Sequence, residues 1–428
     1  MQRQPIDVSS KKHVQTYVLH VDGDNFFVSC ELVRFPELKG KPVIVGEERG
    51  IASALSYEAK ALGITRGMPV FEIRKKFPQV YILPSHFELY EQYAHNLYSI
   101  LKSYSNTVER YSIDECFAYI SLSVEKEEDV IASDILNRIK KHAESSLGIT
   151  LSFGLAKTKT LAKIGSKYNK PSGCTYITEH EQDYFLKQTP IGNVWGIGRA
   201  ISSTLTSYNI TTAYEFTKLD PAFVKKKFGG PTYATWNELK GIEMFKVKEE
   251  TRTPKSFQST RSFGKSIKPT DKERSFFYSE LSRHAEMLCA RLRSHSLSTP
   301  MFSFFLKKKS SHRSYIYREV ELGFYTNNPS DICTSIERTL YTDTDLIHEL
   351  SISDSIKATG ITVLKLKPVE CLQNDLFSIQ DTRDRRNTYM KTIDELNKRL
   401  GERGSIHLCS SLASYRFRQN EHLKRNIK

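Results

Sequence analysis

Apolar positions in the N-terminal part of the chain switch between a period of two and a period of three to four, and the switches mark out elements. Residues 17–22 (YVLHVD) place Leu19 and Val21 on one face and Val18 and His20 on the other, as in a central strand covered on both sides, with Asp22 at its carboxyl end. Residues 23–31 (GDNFFVSCE) read as a turn entering a helix, and residues 38–46 (LKGKPVIVG) as a further strand. A small-residue stretch and a helix fill residues 49–63 (RGIASALSYEAKALG) ahead of GMPVFEIRKKFP, so this region is a compact insertion. Phe87, Tyr90, Ala94, Leu97, Leu101 and Tyr104 then fall on one helical stripe. Val108, Arg110 and Ser112 alternate, as do Cys116, Ala118, Ile120 and Leu122, which predicts a β-hairpin with YSIDECF (residues 111–117) at its mouth. A helix with Ile131, Ile135, Ile139 and Ala143 on one face stops at Gly148, followed by a strand over residues 149–155 (ITLSFGL) and a helix opening near Lys157.

With the insertion set aside, the order is strand, helix, strand, strand, helix, strand, the split βαβ arrangement of ferredoxin-like folds. That topology puts the first strand beside the third and antiparallel to it. Asp22 therefore faces Asp114 and Glu115 across neighbouring strands. Acids gathered from two distant segments repel one another unless cations sit between them, and a two-cation site needs such a set. Mg²⁺ suits it, because that ion takes one or two protein carboxylates and keeps its other positions for water and phosphate oxygens.

Farther on, residues 194–205 (VWGIGRAISSTL) contain a Gly-x-Gly turn at Gly196 and Gly198. No strand and no acidic residue at the right offset support a dinucleotide site, so the segment reads as a hairpin of two short helices, whose free N–H groups at a helix start suit one phosphate of a nucleic-acid strand. Residues 243–264 (EMFKVKEETRTPKSFQSTRSFG) turn polar and Lys-rich, as a tether would. A second α+β domain follows, with a helix over residues 275–294, strands over 301–308 and 315–322, a helix around 332–340 and a last strand over 358–366. Residues 368–428 hold one amphipathic helix (389–400) and read as a loosely attached tail. No internal repeat is present.

The composition changes this picture in one respect. Among 428 residues, 63 Lys and Arg face 49 Asp and Glu, leaving +14, which points to a polyanionic partner. Residues 253–319 carry 14 basic and 5 acidic residues, or +9 of that total, so the second domain holds the basic surface. Cys30, Cys116, Cys174, Cys289, Cys333, Cys371 and Cys409 show no paired spacing, which predicts reduced thiols in a cytoplasmic protein. No stretch is long and apolar enough to span a membrane or act as an export signal.

VDGDNFF, RGIASALSYEAKALG, YSIDE, AKTKTLAKI, VWGIGRAIS and RSFG, in this order and spacing, resemble the Y-family DNA polymerases, the translesion enzymes. AKTKTLAKI, VWGIGRAIS and RSFG, with ELYEQY (residues 88–93) and the tail, look most like the UmuC branch, the catalytic subunit of bacterial polymerase V, with DinB-like features in the fingers. The resemblance implies an α+β right-hand polymerase. Its palm spans residues 15–26 and 87–178, small fingers 27–86, a helix-hairpin-helix thumb 179–246, and a linker with an α+β little finger 247–367. Residues 368–428 form the tail. It implies two Mg²⁺ on Asp22, Asp114, Glu115 and the Gly23 carbonyl, and a steric gate at Phe27, with Phe26 beside it in the nucleotide site. Tyr57, Lys60 and Lys159 match triphosphate contacts, Lys60 standing where many relatives have Arg, which exchanges a bidentate clamp for a point charge. Lys157 and Lys163, on the same early turns as Lys159, are expected as solvated helix lysines. Arg49 falls where a side chain reaches the templating base. Gly196, Gly198, Arg261, Lys307, Lys308 and Lys309 are expected along the DNA backbone. QNDLF offers Gln373, Leu376 and Phe377 to a sliding clamp. Partners implied by the branch are primer-template DNA, dNTPs, a UmuD-like subunit and a recombinase filament.

Two other readings compete. A nucleotide cyclase shares the split βαβ core and metal carboxylates, but has no use for a thumb hairpin or a basic second domain. A non-catalytic DNA-binding damage-response factor has no need to keep Asp22, Asp114 and Glu115 together against their repulsion.

Overall fold

The computed structural model describes residues 14–123, 128–249, 254–309, 315–351, 355–371, 380–400, 406–407 and 409–411. Packing divides the chain into two units, Met1–Glu250 and Thr251–Lys428.

The first unit starts with β1 (Val14–Gly23) and α1 (Phe26–Arg34), then β2 (Val43–Val45), β3 (Ala54–Leu55), α2 (Tyr57–Ala61), α3 (Val70–Lys76) and β4 (Tyr81–Leu83). It continues through α4 (Phe87–Lys102), β5 (Val108–Arg110), β6 (Glu115–Ser123), α5 (Glu128–Leu147), β7 (Leu151–Ala156), α6 (Lys159–Tyr168) and β8 (Cys174–Tyr176). The five-stranded sheet has the order β5-β6-β1-β7-β8, with β1 antiparallel to both β6 and β7. The first strand thus lies beside the third, as the split βαβ pattern requires, and β8 extends the sheet parallel to β7.

Strand parity sorts the two faces. Leu19, Val21, Cys116, Ala118 and Ile120 join a core with Leu97 and Leu101 of α4 and Leu136 and Ile139 of α5, and α1 adds Phe26, Val28 and Cys30 to it. Val18 and Phe117 join a second core with Leu161, Ala162 and Ile164 of α6. Asp22 and Glu115 have the parity of this second face, which places them toward α6. The insertion forms its own small sheet, β3-β2-β4, over a core that includes Ile44, Leu55 and Ile73.

Four helices complete the unit: α7 (Gln182–Gln188), α8 (Arg199–Ser207), α9 (Ala213–Thr217) and α10 (Pro221–Leu239), packed around Phe216 and Trp236. Between α7 and α8 the chain makes a 3-10 turn at Ile191–Asn193 rather than a second α-helix. Gly196 has φ +89°, and a Cβ there would lie 2.5 Å from Thr235 Oγ1 of α10, so close approach of two segments demands glycine. Gly198 is exposed and caps α8 with open space around it.

The second unit runs β9 (Phe257–Ile267), α11 (Asp271–Ser294), β10 (Leu297–Lys308), β11 (Tyr315–Thr326), α12 (Pro329–Thr342), α13 (Thr344–Ser351), β12 (Ile356–Leu364), β13 (Lys367–Pro368) and α14 (Gln380–Leu400). Its sheet, β11-β10-β12-β9, turns Phe302, Phe304 and Leu306 onto Leu281 and Leu288 of α11 and Ile336 of α12.

Three expectations change here. The stretch read as a tether ends early, because its last part is the edge strand β9 paired with β12. Phe257 and Phe263 are buried while Gln258, Thr260 and Ser262 are exposed, so its polar composition reflects an edge strand with one wet face. Within the tail, helix α14 is docked: Arg293 of α11 grips its Asp394 carboxylate through Nε at 2.6 Å and Nη2 at 2.7 Å, a bidentate pair. Helix α13 is an element the apolar pattern did not separate from α12. No described helix is long and apolar enough to cross a membrane.

Candidate active site

Register alone brings the predicted acids together: Asp22 of β1 is directly paired with Glu115 of β6 on one side and with Ser152 of β7 on the other. The Gly23 N–H donates to the Asp114 carbonyl at 3.0 Å, which ties the end of β1 to the hairpin mouth. Each carboxylate is engaged. Asp22 Oδ1 accepts from Lys170 Nζ at 2.6 Å, and Glu115 Oε2 from Lys163 Nζ at 2.6 Å. Asp114 Oδ1 accepts from the Ser112 hydroxyl at 2.5 Å. Lys170 Nζ also stands 3.6 Å from Asp24 Oδ1. Asp24, 1% exposed, is held by the Ser152 hydroxyl at 2.8 Å and the Ser172 N–H at 2.7 Å.

The electrostatics follow from burial. Burial pushes the Asp22 carboxyl up to about 6 against the pull of Lys170. Burial also acts to raise Glu115, but His20 and Lys163 outweigh it and hold that group at about 2. Of these two, Lys163 is the nearer; His20 Nε2, at 4.0 Å from Glu115 Oε2, is beyond hydrogen-bonding distance. His20 is itself fully buried, pushed down to about 4 by that burial, and its Nε2 has no hydrogen-bond partner.

The residues fit a hard divalent cation. The donors are all oxygen, and only two ammonium groups, Lys163 and Lys170, stand against the three carboxylates Asp22, Asp24 and Glu115. Among the described residues no three His, Cys, Asp or Glu side chains are drawn into one closed ligand set. Asp22 and Glu115 are instead turned onto Lys170 and Lys163, which a cation held by these carboxylates would have to displace.

Around this centre the predicted nucleotide contacts separate into groups. Tyr57 opens α2, and burial, then Asp24 and Asp22, push its hydroxyl up to about 12. Lys60 Nζ lies 4.7 Å over the Tyr57 ring and donates to Asn25 Oδ1; burial, then Lys170, lower its pKa. Phe26, expected beside Phe27 in the nucleotide site, packs in the core at 3% exposure. Phe27 is half-buried, stacked on Tyr90 with centroids 4.4 Å apart. Arg49 is exposed on the 3-10 turn Glu47–Arg49, its guanidinium 4.6 Å over Phe87. Lys159 turns its ammonium to Glu109 Oε2 at 2.5 Å, and Glu109 also accepts the Lys248 N–H at 2.7 Å.

The expectation of solvated helix lysines fails. Lys163 is 7% exposed and bonded to Glu115, and Lys157 is ion-paired with Glu179. Lys163, Lys170, Asp24 and Glu109 are site residues that the sequence reading missed. The loop of Lys170, just ahead of Pro171, offers no periodicity, whereas the i, i+4 spacing of Lys159 and Lys163 was a usable signal.

In the second unit, Arg261 is corrected as well. Its strand parity turns it to the helix-covered face, where Nη1 meets the fully buried Glu280 at 2.5 Å. Lys307 projects from the opposite, uncovered face, its Nζ 5.4 Å over the Tyr315 ring, Lys308 has the parity of the helix side, and Lys309 is exposed just past the end of β10. Gln373, Leu376 and Phe377 lie outside the described residues.

Comparison with known proteins agrees with this architecture. The impB/mucB/samB family matches residues 21–167, and that family's C-terminal domain matches residues 254–376. DNA polymerase IV of Lactococcus lactis subsp. cremoris (strain SK11) is 30% identical over 81% of this chain and 93% of its own length. DNA polymerase IV of Desulfatibacillum aliphaticivorans is 28% identical over 94% of this chain and 100% of its own, and protein ImpB of Salmonella typhimurium 29% identical over 88% and 89%. Among solved structures, a chimeric Y-family DNA polymerase superposes with a TM-score of 0.64 at 20% identity, covering 81% of this chain and 98% of that one. Paired acids at the end of β1 and the mouth of the hairpin, on a split βαβ sheet joined to a basic second unit, thus stand in a known setting: the chain belongs to the impB/mucB/samB family, the Y-family DNA polymerases.

Proposed function

We propose that the chain is a template-directed DNA polymerase that carries out translesion synthesis, joining a dNTP to a primer 3′-hydroxyl with release of pyrophosphate. The observation that carries this reading is the direct pairing of Asp22 with Glu115, with Asp114 at the adjoining turn. Two Mg²⁺ bound there would supply Lewis acidity at the primer hydroxyl and neutralise the triphosphate. Asp22, Asp114, Glu115 and the Gly23 carbonyl would hold them, and Lys163 and Lys170 would leave the carboxylates as the ions arrive.

The other roles are assigned to this chain's residues on the same basis. Lys159, Tyr57 and Lys60 bind the triphosphate, with Glu109 holding Lys159 ready until it comes. Phe27 lies under the sugar and excludes a 2′-hydroxyl. Arg49 contacts the templating base. The N–H groups following Gly198, and Lys307 and Lys309, track the DNA backbone, Lys308 being turned to the helix side. Residues 15–26 and 87–178 act as palm, 27–86 as fingers, 179–246 as thumb, 247–367 as linker and little finger, and 368–428 as the tail. The finer reading is a UmuC-type enzyme that docks on a sliding clamp through Gln373, Leu376 and Phe377 and works with a UmuD-like subunit and a recombinase filament in the cytoplasm.

Primer extension with Mg²⁺ on an undamaged template and on one with an abasic site tests the core of this. Extension past the lesion is expected. Glu115→Ala should lower incorporation at least ~100-fold while leaving DNA affinity in place. An equally active Glu115→Ala enzyme would remove the assignment.

A further inference from the structure

Glu31 is a fully buried carboxylate with no part in the roles assigned so far. It lies on α1 one helical turn beyond Phe27, so the two share a helix face. A carboxylate persists in such a place only when its oxygens are hydrogen-bonded. Oε1 accepts from the Tyr90 hydroxyl at 2.6 Å and is 2.8 Å from His86 Nδ1, and Oε2 accepts from Arg34 Nη1 at 3.3 Å.

Tyr90, at 0% exposure, is the link between Glu31 and the nucleotide side of α1. Its ring lies against Phe27 with centroids 4.4 Å apart and planes 13° from parallel. Phe87 meets both rings edge-on at 5.6 Å. A single α4 side chain therefore spans two positions of α1, its ring on Phe27 and its hydroxyl on Glu31. Tyr90 covers one face of Phe27, and the half-buried ring keeps its remaining exposure away from that face.

A ring that rejects a 2′-hydroxyl by contact selects only as well as it is held, because a shift of about 1 Å removes the clash. Phe27 has no polar atom of its own to fix it. Its backing plate does, and that atom is bonded to Glu31. We propose that Glu31 is a positioning residue for sugar selection: by holding the Tyr90 hydroxyl it fixes the surface against which Phe27 rests, and so sets how strongly ribonucleotides are rejected. This rests on the reading of Phe27 as the gate.

The measurement is the ratio of kcat/KM for a dNTP to that for the matching ribonucleotide, which is internal to each preparation and insensitive to the fraction folded. Phe27→Ala tests the gate itself and should collapse the ratio. Tyr90→Phe keeps the ring and removes the hydroxyl; Glu31→Leu removes the acceptor. Each should lower the ratio about tenfold, the scale of one hydrogen bond to a charged group. Glu31→Gln, whose amide oxygen still accepts, should retain it. The double variant Glu31→Leu/Tyr90→Phe should lose no more than either single one, since both break the same bond.

An unchanged ratio in Tyr90→Phe and Glu31→Leu, with a collapsed ratio in Phe27→Ala, would overturn the role of Glu31 and leave the gate standing. Equal losses in Glu31→Gln and Glu31→Leu would overturn it too. An unchanged ratio in Phe27→Ala would remove the gate and this role together.

Discussion

Ionisable side chains withdrawn from solvent divide into those kept charged by a partner and those kept neutral by burial. Glu115 belongs to the first kind, held at about 2, burial being outweighed by its neighbours. His284 in the second unit belongs to the other. It is 1% exposed, its Nδ1 is 2.7 Å from the Ser259 hydroxyl, and its Nε2 has no hydrogen-bond partner. Burial lowers it from the ordinary 6.5 to about 4, with Glu280 pulling the other way and Arg283 and Arg261 adding to the drop. Between those values the unfolded chain binds a proton that the folded one refuses. Stability therefore rises with pH across this window, and it is lost as pH falls from 6.5 toward about 4, by about 3 kcal/mol in all. Chemical denaturation of the wild type and His284→Gln should show a stability difference that shrinks or reverses in favour of the variant as the solution is acidified. A gap constant with pH would mean that His284 charges freely in the folded state.

Helix α6 and strand β7 are the elements that set the reach of the site lysines. They cross so closely that a Cβ on Gly154 would lie 2.0 Å from the Ala162 carbonyl oxygen and 2.4 Å from the Ser166 N. Both obstacles are backbone, so Gly154→Ala must push α6 bodily away, taking Lys159 and Lys163 with it. It should cost about 3 kcal/mol or more and lower nucleotide incorporation in step with it. Gly198→Ala, in open space, is the matched control, and equal melting temperatures for the two variants would disprove the crowding. The same elements show what the sequence could tell. A period of two fixes which strand residues share a face, and one topological rule then paired Asp22 with Glu115. A lysine on a helix carries no such sign. Lys163 reads as solvated until the acid opposite it is known, and that acid lies 48 positions away. Strand β9 was hidden for a related reason: an edge strand with one wet face has the composition of a linker, and only its pairing with β12 distinguishes it. The docking of α14 depends on one long-range pair, Arg293 with Asp394, which local pattern cannot reveal.

At the scale of the whole chain the charge is uneven, with 14 basic and 5 acidic residues in 253–319. Folding decides which of these cations face solvent. Arg261 is spent on Glu280 and Arg293 on Asp394, both inside the second unit. The uncovered face of its sheet keeps Lys307 beside Tyr315 at 53% and Tyr317 at 48% exposure, and Lys309 is exposed just past the strand's end. Lys308 has the opposite parity, on the helix side. Only cations that neutralise phosphates release counterions, and each steepens the fall of log affinity with log salt by about 0.9 on duplex DNA. Removing Lys307 and Lys309 together should therefore flatten the slope by about 2, while Lys308→Ala should change it less than either of them. The measurement is DNA affinity against salt for the wild type, the Lys307→Ala/Lys309→Ala double variant, Lys308→Ala and Arg261→Ala. Arg261→Ala should leave the slope alone even if it weakens the fold, because its charge is already neutralised within the protein. A slope that follows Arg261 and ignores Lys307 and Lys309 would mean that DNA approaches from the helix-covered side. An unchanged slope in all three variants would move the phosphate contacts of this chain off the strand altogether.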